Sequence, residues 1–433
     1  MANEGFARSI VPVSLDTRIA ELGFVLLLLL MLIGLTPFDA RSAAAIAARD
    51  AASASGDALR QLSFLFVFGL IAYAALRKRG LLAITAVPAS MALLLIWCLL
   101  SATWSGEPAI VARRGVLAVI FVLSVLLSVD TLGSARAIVL WRAVMAAVIV
   151  GDIASALLIH NAVHLSDDVE AGLAGAWRGL HSHKNAAGAV AATAAAMFLY
   201  FALETRRRSD ILLCIASVGF LIMTRSKSSM GLLPVALIAG GLYRIAWRSK
   251  LDRTIAALGA VLLVLVLGVA VAVEWEFIAR FLEDPQHFTG RSAIWSAELA
   301  YIRDHPLFGA GFGTFGNTGM RSPIYYYVGS GWVSQIGEGH SGYLEMLVTI
   351  GGLGFVIGMT ALVVQPFAQF WQSERSEANF NAMLFTLFFF DVLHNFMESD
   401  FIQVTAVQWG QILLVIALLR VSRRERRDLA GAR

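Results

Sequence analysis

Residues 290–316 read GRSAIWSAELAYIRDHPLFGAGFGTFG, and they sit within the longest polar interruption of an otherwise apolar chain, the 68 residues Glu274–Ser341. The stretch opens on Gly290-Arg291, continues as the amphipathic run Ile294–Asp304, is stopped by His305-Pro306 and ends in the closely spaced glycines Gly309–Gly319. His340-Ser341 closes the interruption just before the next apolar run. Polar and glycine-rich sequence of this length is a place to look for chemistry.

Outward from that segment the chain is written for a bilayer. Hydrophobic residues make up 58% and charged residues 15% of 433 positions, and the mean hydropathy is +0.74. A soluble chain of this length needs a charged surface that this one lacks. Apolar runs of spanning length are expected near 20–37, 61–76, 82–100, 115–129, 137–159, 186–203, 210–224, 230–247, 254–273, 342–366, 380–396 and 402–420, twelve in all. The fold class expected is therefore an all-α polytopic membrane protein, residues 1–433 forming one domain, with short amphipathic helices capping its large loop.

Lys and Arg fall unevenly between alternate loops. With the N-terminus cytoplasmic, 21 of the 34 lie in inside segments and 13 outside. Positive charge resists translocation, so both termini are expected in the cytoplasm and the loops 160–185 and 274–341 in the periplasm, as one cap. The net charge of +4 needs no nucleic acid to explain it. The basic tail 421–433, with Arg423–Arg427, reads as a cytoplasmic flank able to touch anionic lipid. Arg8 and Arg18 precede an apolar run without a small-residue cleavage site, which reads as an uncleaved first span. Cys98 and Cys214 both lie in apolar runs, so they read as buried thiols and imply neither a disulfide nor a zinc site. No short-period or inverted repeat is visible.

His340 is the first candidate for chemistry, because an imidazole can take a proton from a hydroxyl near neutral pH. Its bland alternative is an interfacial histidine reaching for water. Arg291 opens a helix whose apolar stripe is expected at Ile294, Trp295, Leu299 and Ile302. A guanidinium beside free helix amides makes an anion site, whereas a plain surface arginine is the alternative. Arg225 and Lys227 crowd a tiny outward turn, Thr224–Ser229, against the charge rule. An anionic partner would explain them, and so would lipid headgroups. In the loop Asp167–Asn185, Trp177, Arg178, Lys184 and Asn185 suit sugar or phosphate contacts. The residues His181, His183, Asp167 and Asp168 match no metal-ligand spacing. His394-Asn395-Phe-Met-Glu398 places a carboxylate in the last external turn, able to pair with a cation or bind a hydroxyl. Gly311-x-Gly313-x-x-Gly316 satisfies the dinucleotide pattern literally, but no strand–helix unit surrounds it, so it reads as a flexible, close-packed turn.

These elements together resemble a known family. His340-Ser341, nine intervening residues and then Gly351-x-x-Gly354, Gly290-Arg291-Ser-Ala-Ile-Trp295 and His305-Pro306-Leu-Phe-Gly309-x-Gly311-x-Gly313 are similar to the signature of the O-antigen ligase and polymerase superfamily. The resemblance spans roughly residues 60–420. His183-Lys184-Asn185, Ser226-Lys227-Ser228 and Glu398-Ser399 look more like its exopolysaccharide polymerase (ExoQ) branch. The resemblance implies a GT-C-like membrane glycosyltransferase acting without metal or other cofactor on the periplasmic face of the bacterial inner membrane. Its donor would be an oligosaccharide on undecaprenyl diphosphate, its acceptor a sugar hydroxyl, and its partners membrane lipids with chain-length and export proteins. His340 then corresponds to the base and Arg291 to one cation near the diphosphate. The second family cation is an arginine after the seventh span; here Lys227 stands in its context, leaving Lys227 and Arg225 as alternatives. An O-antigen ligase handing polymer to a lipid A core is the alternative within the same chemistry. A transporter of lipid-linked sugars or an assembly scaffold are alternatives of other classes.

Overall fold

A computed structural model of the chain describes residues 15–39, 41, 57–166, 168, 171–246, 252, 254, 291–316, 318, 322–328, 339–372, 378–404 and 406–431. The expected ninth span, apart from its first residue, and the approach to it through Gly290 lie outside the described residues. Twelve helices carry the rest: α1 Leu15–Leu32, α2 Ala58–Arg79, α3 Ala89–Leu100, α4 Pro108–Leu132, α5 Ser134–Leu158, α6 Lys184–Thr205, α7 Arg208–Thr224, α8 Lys227–Ala246, α9 Arg291–Asp304, α10 Gly342–Trp371, α11 Ala378–His394 and α12 Val407–Gly431. Among the described residues there is no β-strand, only an isolated bridge between Val163 and Trp177. Among the described residues six helices are long and apolar enough to cross a membrane: α2 with its following turn, α4, α5, α6, α8 and α10.

Small residues set how closely these helices pack. α6 is alanine-rich and buries Ala187 through Phe198 without a gap, so α7, α8 and α11 approach it closely. A Cβ added at Gly188 would stand 2.4 Å from Ser226 Cβ, and one at Gly240 1.8 Å from Thr386 Oγ1. α4 packs against α1, α2 and α12, and α12 is buried from Val407 to Leu419. The expected third span is interrupted instead: a 3-10 turn occupies Gly80–Ala86 and α3 begins only after Pro88, which has no amide to continue a ladder.

α12 also runs further than the expected tail boundary, to Gly431, because its basic turns have partners. Arg79 and Arg424 both bind Asp130, at the end of α4, and Ser134 binds Glu425. These contacts lock the end of the bundle opposite the one that carries residues 306–316.

At that other end α10 is broken on purpose. Gly351 has φ 70° and ψ 179°, far from helical, and the carbonyls before it lose their intrahelical partners. The segment 306–311 replaces them. The amides of Ala310 and Gly311 donate to the carbonyls of Val348 and Thr349, both at 2.8 Å, while those of Gly352 and Leu353 donate to Pro306 and Leu307 at 2.8 and 3.3 Å. Trp97 Nε1 caps the carbonyl of Ile350 at 3.0 Å. This backbone clamp ends at Gly311, the first glycine of the literal dinucleotide pattern, and the residues after it are held in turn. Phe312 N donates to Ser101 Oγ at 2.9 Å, and Arg114 to the carbonyl of Gly313.

Candidate functional site

The site grows from the turn that precedes α10. Gly339 and Ser341 flank His340, whose φ of 51° lies in the left-handed region that few non-glycine residues occupy. The turn is held from the loop after α11. Gly342 N donates to the carbonyls of Asn395 at 2.8 Å and Glu398 at 3.0 Å, and Ser341 N to Ser399 Oγ at 3.1 Å. Those partners satisfy first-turn amides of α10 that no side chain caps. Gly342 must be glycine, since a Cβ would stand 2.0 Å from Asn395 Oδ1.

With its backbone fixed, His340 presents Nδ1 to Glu398 Oε2 at 3.3 Å, and its side chain stays 32% exposed. The other oxygen, Glu398 Oε1, accepts from Asn185 Nδ2 at 2.7 Å. Asn185 lies in the first turn of α6, where His183 Nδ1 accepts its amide at 3.2 Å as the N-cap. Its neighbour Lys184 reaches across with Nζ to the carbonyl of Arg225 at 3.2 Å. Hydrogen bonds thus join His340, Glu398 and Asn185, and the next residue back along α6, Lys184, ties the same helix start to the α7–α8 turn.

That turn is a left-handed C-cap at Arg225, with φ 52°. Arg225 donates to the carbonyl of Ala174 at 3.2 Å. Lys227 begins α8 on an exposed position and pairs with nothing among the described residues. Of the two cations read from the sequence, Lys227 is the one without a side-chain hydrogen bond among the described residues, whereas Arg225 is held on the carbonyl of Ala174.

Arg178 does not join this group. It is buried, and its guanidinium donates to the carbonyls of Asn161, Ser182 and Asp39 at 2.7, 3.2 and 2.8 Å. It ties together its own loop and the segment after α1 rather than facing a ligand. His181 and Asp168, from the group that matches no metal-ligand spacing, are likewise paired internally. His181 Nε2 meets Asp152 Oδ2 at 3.1 Å, and His164 Nδ1 meets Asp168 Oδ2 at 2.6 Å. Burial pushes the His164 imidazole down to about 4 against the opposing pull of Asp168. The neutral ring then accepts the amide of Lys184 on Nε2 at 3.2 Å. No group of three or more candidate metal ligands occurs among the described residues; Asp167 lies outside them.

Arg291 stands at the first position of α9, as expected, but its side chain lies outside the described residues. The helix itself is bound to the His340 turn: Trp295 Nε1 donates to the carbonyl of Gly339 at 2.9 Å. Its buried face is Ile294, Ala297, Glu298 and Tyr301; of the expected stripe Ile294 is buried, Trp295 and Ile302 are half-buried, and Leu299 is exposed. Those four follow the i, i+3, i+4, i+7 register. Glu298 was missed because a carboxylate on an amphipathic helix is ordinarily counted to the wet face. It is fully buried against Gly339, where a Cβ would stand 1.9 Å from Oε1, and neither oxygen has a hydrogen-bond partner among the described residues. Burial, reinforced by Glu345, raises its carboxyl well above the ordinary range.

Apolar helices of spanning length around this arrangement define a membrane protein. Residues 212–359 match the family described as O-antigen ligase, a stretch running from α7 into α10 that contains Arg225, Lys227, Arg291 and His340. The match supports the O-antigen ligase and polymerase superfamily, as the sequence motifs suggested, and points to a membrane glycosyltransferase-like enzyme. No curated protein matches the chain.

Proposed function

We propose that this chain polymerises oligosaccharide repeat units carried on undecaprenyl diphosphate into an exopolysaccharide, at the periplasmic face of the inner membrane, by metal-independent inverting glycosyl transfer. The observation that supports this reading best is the set of bonds that joins His340, Glu398 and the start of α6 to the turn of Arg225 and Lys227. A partly open imidazole is held on a carboxylate, and the helix start that orients this carboxylate also bonds the turn from which the exposed Lys227 begins α8. With Nδ1–H donated to Glu398, Nε2 is left as the acceptor for a proton.

In the reaction, His340 Nε2 takes the proton of the acceptor hydroxyl as its oxygen bonds to the donor's anomeric carbon. The bond from that carbon to the diphosphate oxygen breaks on the opposite face, releasing undecaprenyl diphosphate and inverting the centre. Negative charge grows on the leaving diphosphate, so Lys227 and Arg291 stabilise the transition state more than the bound substrate. Glu398 orients the ring and offsets the positive charge it acquires. Lys184, Asn185 and Arg225 shape the rim on which the sugar lies, and twelve spans with both termini cytoplasmic would carry it.

The test is purified protein in lipid, given lipid-linked repeat units. A ladder of chain lengths supports the polymerase, and absence of any transfer rejects it. The family's description as O-antigen ligase favours a second reading, transfer of finished chains to lipid A core; a single addition, and only to core, would select it.

A further inference from the structure

The loop after α11 holds more than the base. His394, buried at the end of α11, has Nδ1 2.6 Å from Asp400 Oδ2. Nδ1–H donated to a carboxylate makes Nε2 the acceptor of a neutral ring. Ser229 Oγ lies 3.5 Å from that nitrogen, and Ser226 Oγ donates in turn to Ser229 Oγ at 3.1 Å. Asp400, His394, Ser229 and Ser226 are all buried, so no substrate reaches this chain of groups.

Its far end is the first turn of α8. Ser226 immediately precedes Lys227; its carbonyl accepts Met230 N at 3.0 Å and its amide donates to Thr224 Oγ1 at 3.2 Å. The Ser226 side chain fills the space over Gly188 of α6. Beside its carboxylate a buried neutral imidazole needs one donor at Nε2, which Ser229 supplies; Ser226 extends the chain beyond that need, although apolar residues would fill this space at lower desolvation cost. Four satisfied polar groups across two helix ends instead fix one geometry. Near its other end, in the same 394–400 segment, Glu398 holds His340.

We propose that His394 is a positioning residue: through Ser229 and Ser226 it holds the first turn of α8, and with it Lys227, in register with the segment that carries the His340–Glu398 pair. The role assigned to Lys227 rests on the function proposed above; the linkage itself does not. Misplacing a charge-stabilising group by about 1 Å costs on the order of 10²-fold in rate, which is why such a brace matters.

The experiment uses the full chain in lipid nanodiscs. Hydrogen exchange of the amides at 226–230 is compared for the wild type, Ser229→Ala, His394→Asn and His394→Gln. Ser229→Ala deletes one oxygen and guards against misfolding of the histidine variants. Exchange there is expected to rise about tenfold in Ser229→Ala and His394→Asn, the scale of one lost hydrogen bond in a local opening. The longer His394→Gln amide, which reaches the Nε2 position, should restore most of the protection, whereas a space-filling role would damage both histidine variants alike. In parallel, affinity for undecaprenyl diphosphate should fall about tenfold in Ser229→Ala, and not fall further when Ser229→Ala is added to Lys227→Ala. Unchanged exchange at 226–230, or additive losses of affinity, would overturn the proposal. Exchange that responds as expected in a wild type that does not bind undecaprenyl diphosphate would uphold the brace and reject the proposed function.

Discussion

Nδ1 of His340 lies 3.3 Å from Oε2 of Glu398, a residue 58 positions further along the chain. The pairing follows from backbone, not from side-chain attraction alone: the carbonyls of Asn395 and Glu398 both accept the amide of Gly342, which sets the two turns face to face. The carboxylate then decides which ring nitrogen is left for chemistry, and Asn185 decides where the carboxylate points.

Glu398→Gln should therefore lower the rate of glycosyl transfer by about 10²–10³-fold with little change in substrate affinity, within the range for disturbed general acid–base catalysis. His340→Ala should lose all measurable transfer. Polymer formation by purified variants, with membrane yield as the folding control, checks both. Full activity in either would remove that residue from the mechanism.

Lys227 and Arg178 make a contrast between function and scaffold. Lys227→Ala should fold normally and lose about 10²–10³-fold in rate, the scale of a deleted charge-stabilising donor. Lys227→Arg should retain activity, because a guanidinium carries the same charge to the same rim. Arg178→Ala should instead fail at folding, since it leaves carbonyls of its own loop and of Asp39 without their donor, at about 1–3 kcal/mol for each one left unsatisfied. Thermal unfolding and membrane yield separate the cases: a stable, inactive Arg178→Ala would return that residue to the binding site.

The break in α10 makes a prediction about two motifs at once. A Cβ at Gly351 would meet the carbonyl oxygen of Leu307 at 2.2 Å, and one at Gly309 the amide of Gly351 at 2.7 Å, and both positions have positive φ. Gly351→Ala and Gly309→Ala should each destabilise by several kcal/mol, about 2–4, from overpacking and backbone strain together. Gly219→Ala, in open space on α7, should be nearly neutral. Heat inactivation of transfer activity measures all three.

The sequence made some of this legible and hid the rest for definite reasons. His340, Glu398, Lys184, Asn185, Arg225 and Lys227 could be singled out because polar groups at the rim of apolar runs are costly without a role. Their linkage could not, because hydrogen bonds across 58 or 213 positions leave no mark on local periodicity. Burial of a guanidinium on backbone carbonyls has no sequence signal, so Arg178 reads from the sequence alone as a substrate contact. The glycine clamp of 306–311 on α10 was half visible as two motifs, with nothing in either to say they bond to each other. The buried face of α9 was displaced because Leu299 outweighs Glu298 in any count of apolar residues, whereas the register of Ile294, Ala297 and Tyr301 would have named Glu298.

That buried acid gives a prediction with a definite sign. Glu298 is held above its ordinary pKa by burial and by Glu345, so between the two values the folded chain binds more protons than the unfolded one. Its contribution to stability is complete below the unfolded pKa, near 4.5, and is lost as pH rises through the folded value. Gln at this position is neutral at every pH and keeps the shape against Gly339. Glu298→Gln should match the wild type in acid and exceed it at alkaline pH by about 1–3 kcal/mol, the cost of an unpaired buried polar group turned charged. Transfer activity should persist, because the side chain supports the His340 turn by contact and donates nothing to it. Thermal midpoints in nanodiscs across that range are the measurement: parallel curves for the two proteins would mean that the carboxyl does not titrate in a buried site.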